Sequence, residues 1–434
     1  MVVKKFFYYL FLCIFLCNFS SHQLSAIIIG SNTAIARQAR VTFPAIDPNN
    51  EIRGFTFMEK GFALQDMTTS CSFNALFPVS GDISLNGGTL YLLQDMALSG
   101  VVTFTNLGHL SANSAALIDL APSMDRIGSG SVVTYTWTNI NVQMNSNIQL
   151  NANIMFKGAS TIDGGGHALD FSSAANLWVA PSSTLTLKNV VVKGISQQQI
   201  RCLTSSSNLI LDEVTWIQDG DSVFDMGSIL FRNVNMISGA DTIFVYSTDQ
   251  VSTITTNGKL ILDNGLTFSY DPSINSQTLL QFTDDTASLV LQGATLHVTV
   301  TGLTLTKGQL EVTQHSAILS ETEPFGEGSV VDNGITWGND LASDDLKVTI
   351  YSSINLSLLR GSLNYRNVLD TSFSMGNVDS KIIMAPVTSI KLYETLDLGI
   401  GFLVLGDSTI IGRATGKDLI GSVNPLGTYF YISL

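Results

Sequence analysis

Carboxylates gather in the middle of this chain of 434 residues. Their positions are Asp219, Asp221, Asp225 and Asp241, with Asp212 and Glu213 just upstream. Two carboxyl groups on adjacent elements can act as general acid and general base in the hydrolysis of a glycosidic bond. Solvated turns are rich in the same residues, because Asp side chains hydrogen-bond to nearby backbone. We therefore interpret the four aspartates as turn carboxylates, and they are the first candidates if the chain has an active site.

The sequence gives little support for a metal site, a nucleotide-binding loop or a serine nucleophile. The histidines after residue 26 are His109, His167, His297 and His315, and none has a second His or Cys at metal-ligand spacing. Asp163-Gly-Gly-Gly-His167 is better explained as a tight turn than as a phosphate-binding or calcium-binding loop. No Gly-x-Ser-x-Gly elbow or dinucleotide fingerprint is present. We expect no metal and no cofactor.

The elements that position these side chains follow from a six-residue pattern, apolar-x-apolar-x-polar-x, which recurs from Ile83 to Ser408. It reads Leu-Thr-Leu-Lys-Asn-Val from Leu185, Ile-Leu-Phe-Arg-Asn-Val from Ile229 and Leu-Asn-Tyr-Arg-Asn-Val from Leu363. Looser copies begin at Ile83, Leu90, Ile148, Leu209, Leu260, Leu289, Leu310 and Leu403. Two apolar residues separated by one lie on the same face of a β-strand. The pattern therefore predicts short strands, each followed by a turn.

The polar position of the pattern is rich in asparagine, at Asn189, Asn233, Asn264 and Asn367. Asn and Gly enter left-handed backbone conformations at low cost, so this position predicts a fixed corner where each strand ends. Asparagines at equal positions of stacked strands can also hydrogen-bond to one another as a ladder. We predict these four asparagines to be structural corner residues.

The spacing of the copies indicates a solenoid. Successive intervals are 24 and 20 residues from Leu185 to Leu209 to Ile229, and 29 and 21 residues from Leu260 to Leu289 to Leu310. Repeats of this length stack because one turn cannot bury its apolar face alone. A leucine-rich repeat needs a longer leucine consensus and usually a helical segment, and neither is visible. The sequence therefore predicts an all-β fold, a parallel β-helix over residues 81–434.

Three segments resemble the right-handed parallel β-helix proteins of the pectin-lyase-like superfamily. They are Ser160-Thr-Ile-Asp-Gly-Gly-Gly-His-Ala-Leu-Asp-Phe171, followed by Leu177-Trp-Val-Ala, and Ser183-Thr-Leu-Thr-Leu-Lys-Asn-Val-Val-Val-Lys-Gly194. The resemblance implies the fold and no single activity, because the superfamily includes lyases, hydrolases, adhesins and spike proteins. The layout also resembles surface β-helix proteins of intracellular or host-associated bacteria.

The enzymes of this superfamily have requirements that the sequence meets poorly. The resemblance implies, for hydrolases, aspartates on adjacent coils with a His and a basic residue, and for lyases a carboxylate-bound calcium with an Arg or Lys base. The paired-aspartate, Gly-His-Gly and Arg-Ile-Lys motifs of the hydrolases are absent, as is the lyases' Arg-x-Pro-x-x-Arg segment. Under the enzyme alternative, calcium is the expected cofactor, and the carboxylates from Asp212 to Asp241 converge in one groove.

Residues 1–26 predict a secretory signal peptide. Lys4 and Lys5 form its positive region, Phe6 to Cys17 its apolar core, and Leu24-Ser-Ala26 its cleavage site. An uncleaved anchor is the alternative, although the apolar run is short for a membrane span. Both cysteines of that run follow leucine, which argues against a lipoprotein. We expect a protein that is secreted or exposed at the cell surface.

Residues 27–80 lack the hexamer and are predicted to form an N-terminal cap over the open end of the solenoid. The pattern fades again at about 320–345, an acidic stretch that is either a solvated loop or a coil with a long turn. About 70 residues follow Leu363, so we expect no transmembrane barrel of the autotransporter kind. Cys71 and Cys202 lie 131 residues apart. An exported chain could join them in a disulfide, but two unpaired buried thiols are the preferred expectation.

Composition narrows the function further. Charged residues are 13% of the chain and hydrophobic residues 45%, which suits many short strands covered by small polar residues. A net charge of -14 without a Lys/Arg cluster argues against binding to nucleic acid. Two functions remain open. One is a non-catalytic β-helix with a structural, adhesive or host-contact role, whose partners are envelope components, glycans or a host surface. The other is a polysaccharide lyase or glycoside hydrolase.

Overall fold

The chain forms a parallel β-solenoid of about ten turns in a computed structural model. The structure describes residues 134–413, apart from 145–146, 151–152, 172–174, 264, 322–333 and 395. Outside that range it gives only the backbone of short strands. The predicted signal peptide and most of the predicted cap lie outside the described residues, and both stay predictions. The all-β parallel solenoid predicted from the hexamer is confirmed.

The early strands are β1 Val41–Thr42, β2 Phe55–Phe57, β3 Gly61–Leu64, β4 Ser70–Phe73, β5 Val79–Ser84, β6 Thr89–Leu92, β7 Leu98–Thr105 and β8 Gly108–Ala112. The next are β9 Thr134–Thr138, β10 Ile140–Met144, β11 Ile148–Leu150, β12 Asn153–Lys157, β13 Ala159–Asp163, β14 Ala168–Phe171, β15 Asn176–Val179, β16 Thr184–Gln197, β17 Ile200–Cys202, β18 Asn208–Phe224, β19 Ser228–Arg232 and β20 Val234–Ser238.

The middle strands are β21 Ile243–Tyr246, β22 Ser252–Ile254, β23 Lys259–Asp263, β24 Thr267–Tyr270, β25 Leu280–Phe282, β26 Ser288–Gln292, β27 Thr295–Val298, β28 Leu303–Leu305, β29 Gln309–Val312 and β30 Ser316–Ser320. The last are β31 Ile335–Trp337, β32 Lys347–Ile350, β33 Asn355–Tyr365, β34 Phe373–Met375, β35 Lys381–Met384, β36 Thr388–Leu392, β37 Phe402–Leu405, β38 Ile410–Arg413 and β39 Phe430–Ile432. Among the described residues, two single-turn 3-10 helices, Ala342–Asp344 and Asp370–Ser372, interrupt them.

Strands of consecutive coils pair in parallel along three faces. Face 1 contains β10, β13, the first parts of β16 and β18, then β19, β22 and β25, and later β28, β31, the second part of β33, β36 and β38. Face 2 contains β11, β14, the middle of β16 and of β18, β20, β23, β26, β29, β32 and β34. Face 3 contains β9, β12, β15, β17, the ends of β16 and β18, β21, β24, β27, β30, the first part of β33, β35, β37 and β39.

The core is a continuous column of inward side chains. Leu185, Leu209 and Ile229 lie in register on face 1, and each is at most 1% exposed. On face 3, Phe244 and Phe268 stack with ring centroids 5.6 Å apart, and Tyr246 and Tyr270 do so at 5.8 Å. Burying such a side chain contributes about 1.5–3 kcal/mol. Because every coil supplies inward residues to the same column, no coil is stable without its neighbours.

The corner from face 1 to face 2 uses left-handed backbone. Asn189 has a φ of 43° and Asn233 a φ of 52°, and Glu213, in the coil between them, has a φ of 61°. Asn233 Nδ2 donates a hydrogen bond to Asp212 Oδ1 at 2.7 Å, so this corner is also tied to the coil before it. The coil between Asn189 and Asn233 has Glu213 at this corner. The two asparagines therefore do not stack on adjacent coils and cannot form a ladder of hydrogen-bonded amides. Asn264 lies outside the described residues.

Asn367 has a different role from the one that its place in the hexamer predicts. Its φ is not positive, and its side chain is 1% exposed. Its Oδ1 accepts a hydrogen bond from the Leu346 backbone N–H at 2.8 Å, and its Nδ2 donates to the Leu346 carbonyl at 2.7 Å. Asn235 makes the same kind of bond, with Oδ1 accepting from the Val214 N–H at 3.0 Å. Both buried amides join one coil to the coil before it.

The hexamer copies do not form a single stack. The copies from Leu185 and Leu209 lie on face 1, those from Leu260 and Leu289 on face 2, and the copy from Leu403 on face 3. Each face needs a strand with two inward residues followed by a corner, so the same local sequence suits all three.

At Gly361 the corner lies inside β33, with a φ of 84°, and a Cβ there would collide with the carbonyl oxygen of Ser320.

Part of the acidic stretch at 320–345 belongs to the solenoid. Strand β31 pairs with β28 and with β33, and the side chain of Trp337 is fully buried. In the turn that follows, Asp340 pairs with Arg366 at 2.6 Å and Asp344 with Lys307 at 3.5 Å. Residues 322–333 lie outside the described residues.

Candidate functional site

The structure places three of the four predicted aspartates around one corner of the solenoid. Asp219 and Asp221 are exposed on β18 where face 3 begins, and Asp241 lies at the equivalent corner one coil later, with a φ of 56°. Asp221 Oδ1 accepts a hydrogen bond from the Ile243 backbone N–H at 2.8 Å. Asp221 therefore links two adjacent coils, which is a structural role for a turn carboxylate.

Asp225 lies elsewhere, at the far end of β18. Its Oδ2 accepts hydrogen bonds from Arg201 Nη2 at 3.2 Å and from Gln198 Nε2 at 3.0 Å. Asp212 lies at the corner between faces 1 and 2, bonded to Asn233. The predicted carboxylates are thus divided among three places on the solenoid. Among the residues that the structure describes, no group of three His, Cys, Asp or Glu side chains is arranged to hold a metal ion.

The two partners of Asp225, Arg201 and Gln198, line a groove on the outward side of face 3. This groove has a volume of about 480 Å³. We call it the Trp178 groove, and its lining residues are Met155, Asn176, Trp178, Gln198, Arg201 and Leu203. Small-molecule sites usually have volumes of about 300–1,000 Å³, lined by apolar side chains with a few polar groups. The Trp178 groove has both the size and the mixed lining of such a site.

Strand alternation explains how the groove is built. In β15, Leu177 and Val179 point into the core and are 0% exposed, which turns Trp178 outward. Met155 pairs with Trp178 across adjacent coils, and Trp178 pairs with Arg201 in the same way. A thioether, an indole ring and a guanidinium therefore form an outward row along the solenoid, one residue per coil.

The polar side of the groove is an ion pair held by an amide. Arg201 and Asp225 are partly exposed, at 37% and 25% of their side chains. Arg201 Nε and Asp225 Oδ1 are covered from solvent and have no hydrogen-bond partner in the structure. The polar surface that the pair offers to the groove is therefore the exposed part of the Arg201 guanidinium.

Cys202 lies directly beneath the ion pair. Its thiol is free and 0% exposed, while the side chain of Cys71 lies outside the described residues. Burial, and secondarily the negative charge of Asp225, raise the pKa of the Cys202 thiol to about 12. Because the thiolate is the reactive form, Cys202 is a packing residue and not a nucleophile.

Three residues that no pattern in the sequence groups together lie in a row, within hydrogen-bonding distance of one another, on the outward side of face 3. Ser269 Oγ lies 2.9 Å from His297 Nδ1, and His297 Nε2 lies 3.1 Å from Glu321 Oε1. A hydroxyl, an imidazole and a carboxylate in a row have the order of a nucleophile, a base and an orienting group. However, Ser269 is only 5% exposed and the backbone of its strand is paired on both sides, so the row has no open approach to its hydroxyl.

Coil length explains why the sequence did not reveal this row. Ser269 and His297 are 28 residues apart, and His297 and Glu321 are 24 apart, one coil in each case. Since coils differ in length, no fixed spacing identifies residues that stack. The outward position of Trp178 could have been found, because it lies between two apolar residues of a short strand.

Comparisons with known proteins identify no relatives. No family model, no curated protein and no solved structure matches the chain. The likeness to the pectin-lyase-like superfamily therefore depends on the quoted segments and on the parallel β-solenoid itself. Within the described residues, no helix has the length and apolarity to cross a membrane.

Proposed function

We propose that this chain is an exported β-solenoid, secreted or held at the cell surface, that makes adhesive or host contacts through its outward side chains. The Trp178 groove is the observation that carries the proposal. Inward residues are committed to the core and corner residues to turns, so recognition falls to the outward side. An indole ring on an outward face is a contact feature, because Trp supplies a large, rigid area that is otherwise buried in the core.

The predicted aspartates support contact better than catalysis. General acid and base residues must flank one bond. Asp225 is instead neutralised by Arg201, and Asp221 is bonded to the backbone of the next coil. The positions of these groups therefore favour a binding role over the polysaccharide lyase or hydrolase alternative.

Localisation tests the proposal first. Cells that produce the full chain are separated into cytoplasm, envelope and medium, and intact cells are treated with protease. We expect the protein in the envelope or the medium, shortened by its signal peptide, and accessible to the protease if it stays on the surface. A chain of full length that remains in the cytoplasm would overturn the proposal.

Attachment tests the contact role. The purified mature chain is immobilised on beads, and its binding to host cells and to isolated envelopes is counted against beads coated with albumin. Incubation of the same protein with acidic and neutral polysaccharides, with and without calcium, is expected to release no unsaturated or reducing ends. Release of such ends would establish the enzyme alternative instead.

A further inference from the structure

We infer that the Trp178 groove binds a neutral saccharide, with one sugar ring stacked on Trp178 and hydroxyl groups bonded to the polar residues around it. The inference depends on the proposed contact function and names the class of ligand for it.

Trp178 is unusual among the tryptophans whose side chains the structure describes. Trp216 and Trp337 are 2% and 0% exposed in the core, whereas Trp178 is partly exposed on the outward side of β15. Met155 lies beside it on the previous coil. An apolar surface of this kind suits a flat ligand with C–H groups on one side, and a pyranose ring has such a side.

The polar lining suits hydroxyl groups. A hydroxyl both donates and accepts hydrogen bonds, and amides and carboxylates supply the matching acceptors and donors. Gln198 and Arg201 already converge on Asp225 Oδ2, at 3.0 and 3.2 Å. The partly exposed guanidinium of Arg201 and the amide of Gln198 line the groove, so they are the groups of this set that can meet a bound hydroxyl.

The charge of the groove favours a neutral ligand. The guanidinium of Arg201 is offset by the carboxylate of Asp225, so the pair presents no net charge to a ligand. An acidic sugar would have to displace Asp225 from Arg201, and it would approach a chain with a net charge of -14. A neutral saccharide meets neither obstacle.

The spacing of the row fits a chain of sugars. Met155, Trp178 and Arg201 follow one another on successive coils, and adjacent strands lie about 4.7–4.9 Å apart. This distance is close to the length that one sugar unit adds to an extended polysaccharide. An oligosaccharide lying along the solenoid axis would therefore meet the three outward side chains in turn.

The test uses the purified mature chain and a panel of oligosaccharides. Neutral gluco-, manno- and N-acetylglucosamine oligomers are titrated by calorimetry and by tryptophan fluorescence, with an oligogalacturonate as the acidic comparison. We expect at least one neutral oligomer to bind and to change the fluorescence. Trp178→Ala is expected to weaken that binding about tenfold or more, because it removes the stacked ring.

Tyr351→Ala is the matched control. Tyr351 is also an outward aromatic, 45% exposed, and it lies away from the groove on the turn after β32. Tyr351→Ala should leave the affinity for the neutral oligomer unchanged. Thermal unfolding of Trp178→Ala and of Tyr351→Ala shows whether each variant is folded. Arg201→Gln should weaken the binding of the neutral oligomer. Binding of the oligogalacturonate alone, or equal binding by Trp178→Ala and the unmodified chain, would overturn the inference.

The inference and the proposed function can fail separately. Beads that attach to cells equally well with and without Trp178, while no saccharide binds in solution, contradict the saccharide and keep the contact role. Saccharide binding that is lost in Trp178→Ala, by a chain that stays in the cytoplasm, keeps the saccharide site and contradicts the exported contact role.

Discussion

Cys202 shows how burial removes the reactivity of a single side chain. Its thiol lies in the core, and burial raises its pKa to about 12, so it carries almost no thiolate at neutral pH. We predict that iodoacetamide alkylates Cys202 in the folded chain about a hundredfold more slowly than in urea. Peptide mass spectrometry after timed reaction at about pH 8 measures both rates. Similar rates would mean that the coil around Cys202 opens readily.

Asp284 gives the clearest pH dependence. Hydrogen bonds from Thr256 and then from Thr286 lower the pKa of its carboxyl group from the usual value of 3.8. A carboxylate whose pKa is lower in the folded chain stabilises the fold above the unfolded value, and this stabilisation is lost as the pH falls through the folded pKa. We therefore expect Asp284→Asn to melt below the unmodified chain at neutral pH, with a difference that narrows as the pH falls below about 5.

The neighbouring substitution Asp285→Asn separates this effect from a simple loss of charge. It removes the same charge one residue away, outside the hydrogen bonds with Thr256 and Thr286. Thermal melts followed by circular dichroism across the same pH range compare the two variants. Equal melting curves for both would show that net charge, and not the hydrogen-bonded turn, sets the acid stability.

Single elements of the solenoid depend on the backbone of their corners. Asn233 has a φ of 52°, a conformation that costs a non-glycine L-residue about 1–2 kcal/mol. We expect Asn233→Val to lower the free energy of unfolding by about that amount, and Asn233→Gly to lower it by less. Both variants lose the hydrogen bond to Asp212, so the difference between them isolates the backbone. Urea titration measures it, and equal stabilities would contradict the corner assignment.

The same elements show what can be predicted from the residues. Alternation of apolar residues and the left-handed preference of Asn act within a few positions, so the strand and the corner at Asn233 follow from local sequence. Stacking depends on the length of every coil in between. For that reason the buried amide of Asn367, the division of the hexamers among three faces, and the row from Ser269 to Glu321 needed the structure.

The residues of the Trp178 groove show the same limit of prediction from local sequence. Trp178 and Asp225 are 47 residues apart, and they are linked through Arg201, which pairs with Trp178 and bonds to Asp225 from the coil between them. Outward positions carry no repeated pattern, since the residues that lie in register on successive coils, such as Met155, Trp178 and Arg201, differ in type. Asp225 was named from the sequence because carboxylates can act as acid or base, whereas nothing in the local sequence pointed to its partners Arg201 and Gln198.

At the scale of the whole molecule, stability is a sum over neighbouring coils. Each coil contacts the coils before and after it, and solenoids of this kind behave approximately as one-dimensional arrays. The aromatic residues of face 3 strengthen this coupling in the middle of the chain, where Phe244, Phe268, Tyr246 and Tyr270 stack on adjacent coils. Removal of one ring from that stack should therefore destabilise the adjacent coils before it affects more distant ones.

We predict that Phe268→Ala destabilises the solenoid by about 3–5 kcal/mol, the cost of removing a buried phenylalanine. Phe268 is 1% exposed, and Phe244 and Tyr246 would both lose a ring contact. Hydrogen exchange with mass spectrometry should show the largest loss of protection in β21, β24 and β27, with smaller losses in more distant coils. Phe156→Ala, at an equally buried position on β12, is the control and should move the loss to β9, β12 and β15. If both variants lose protection evenly along the solenoid, its coils unfold as one cooperative unit, and the nearest-neighbour description is wrong.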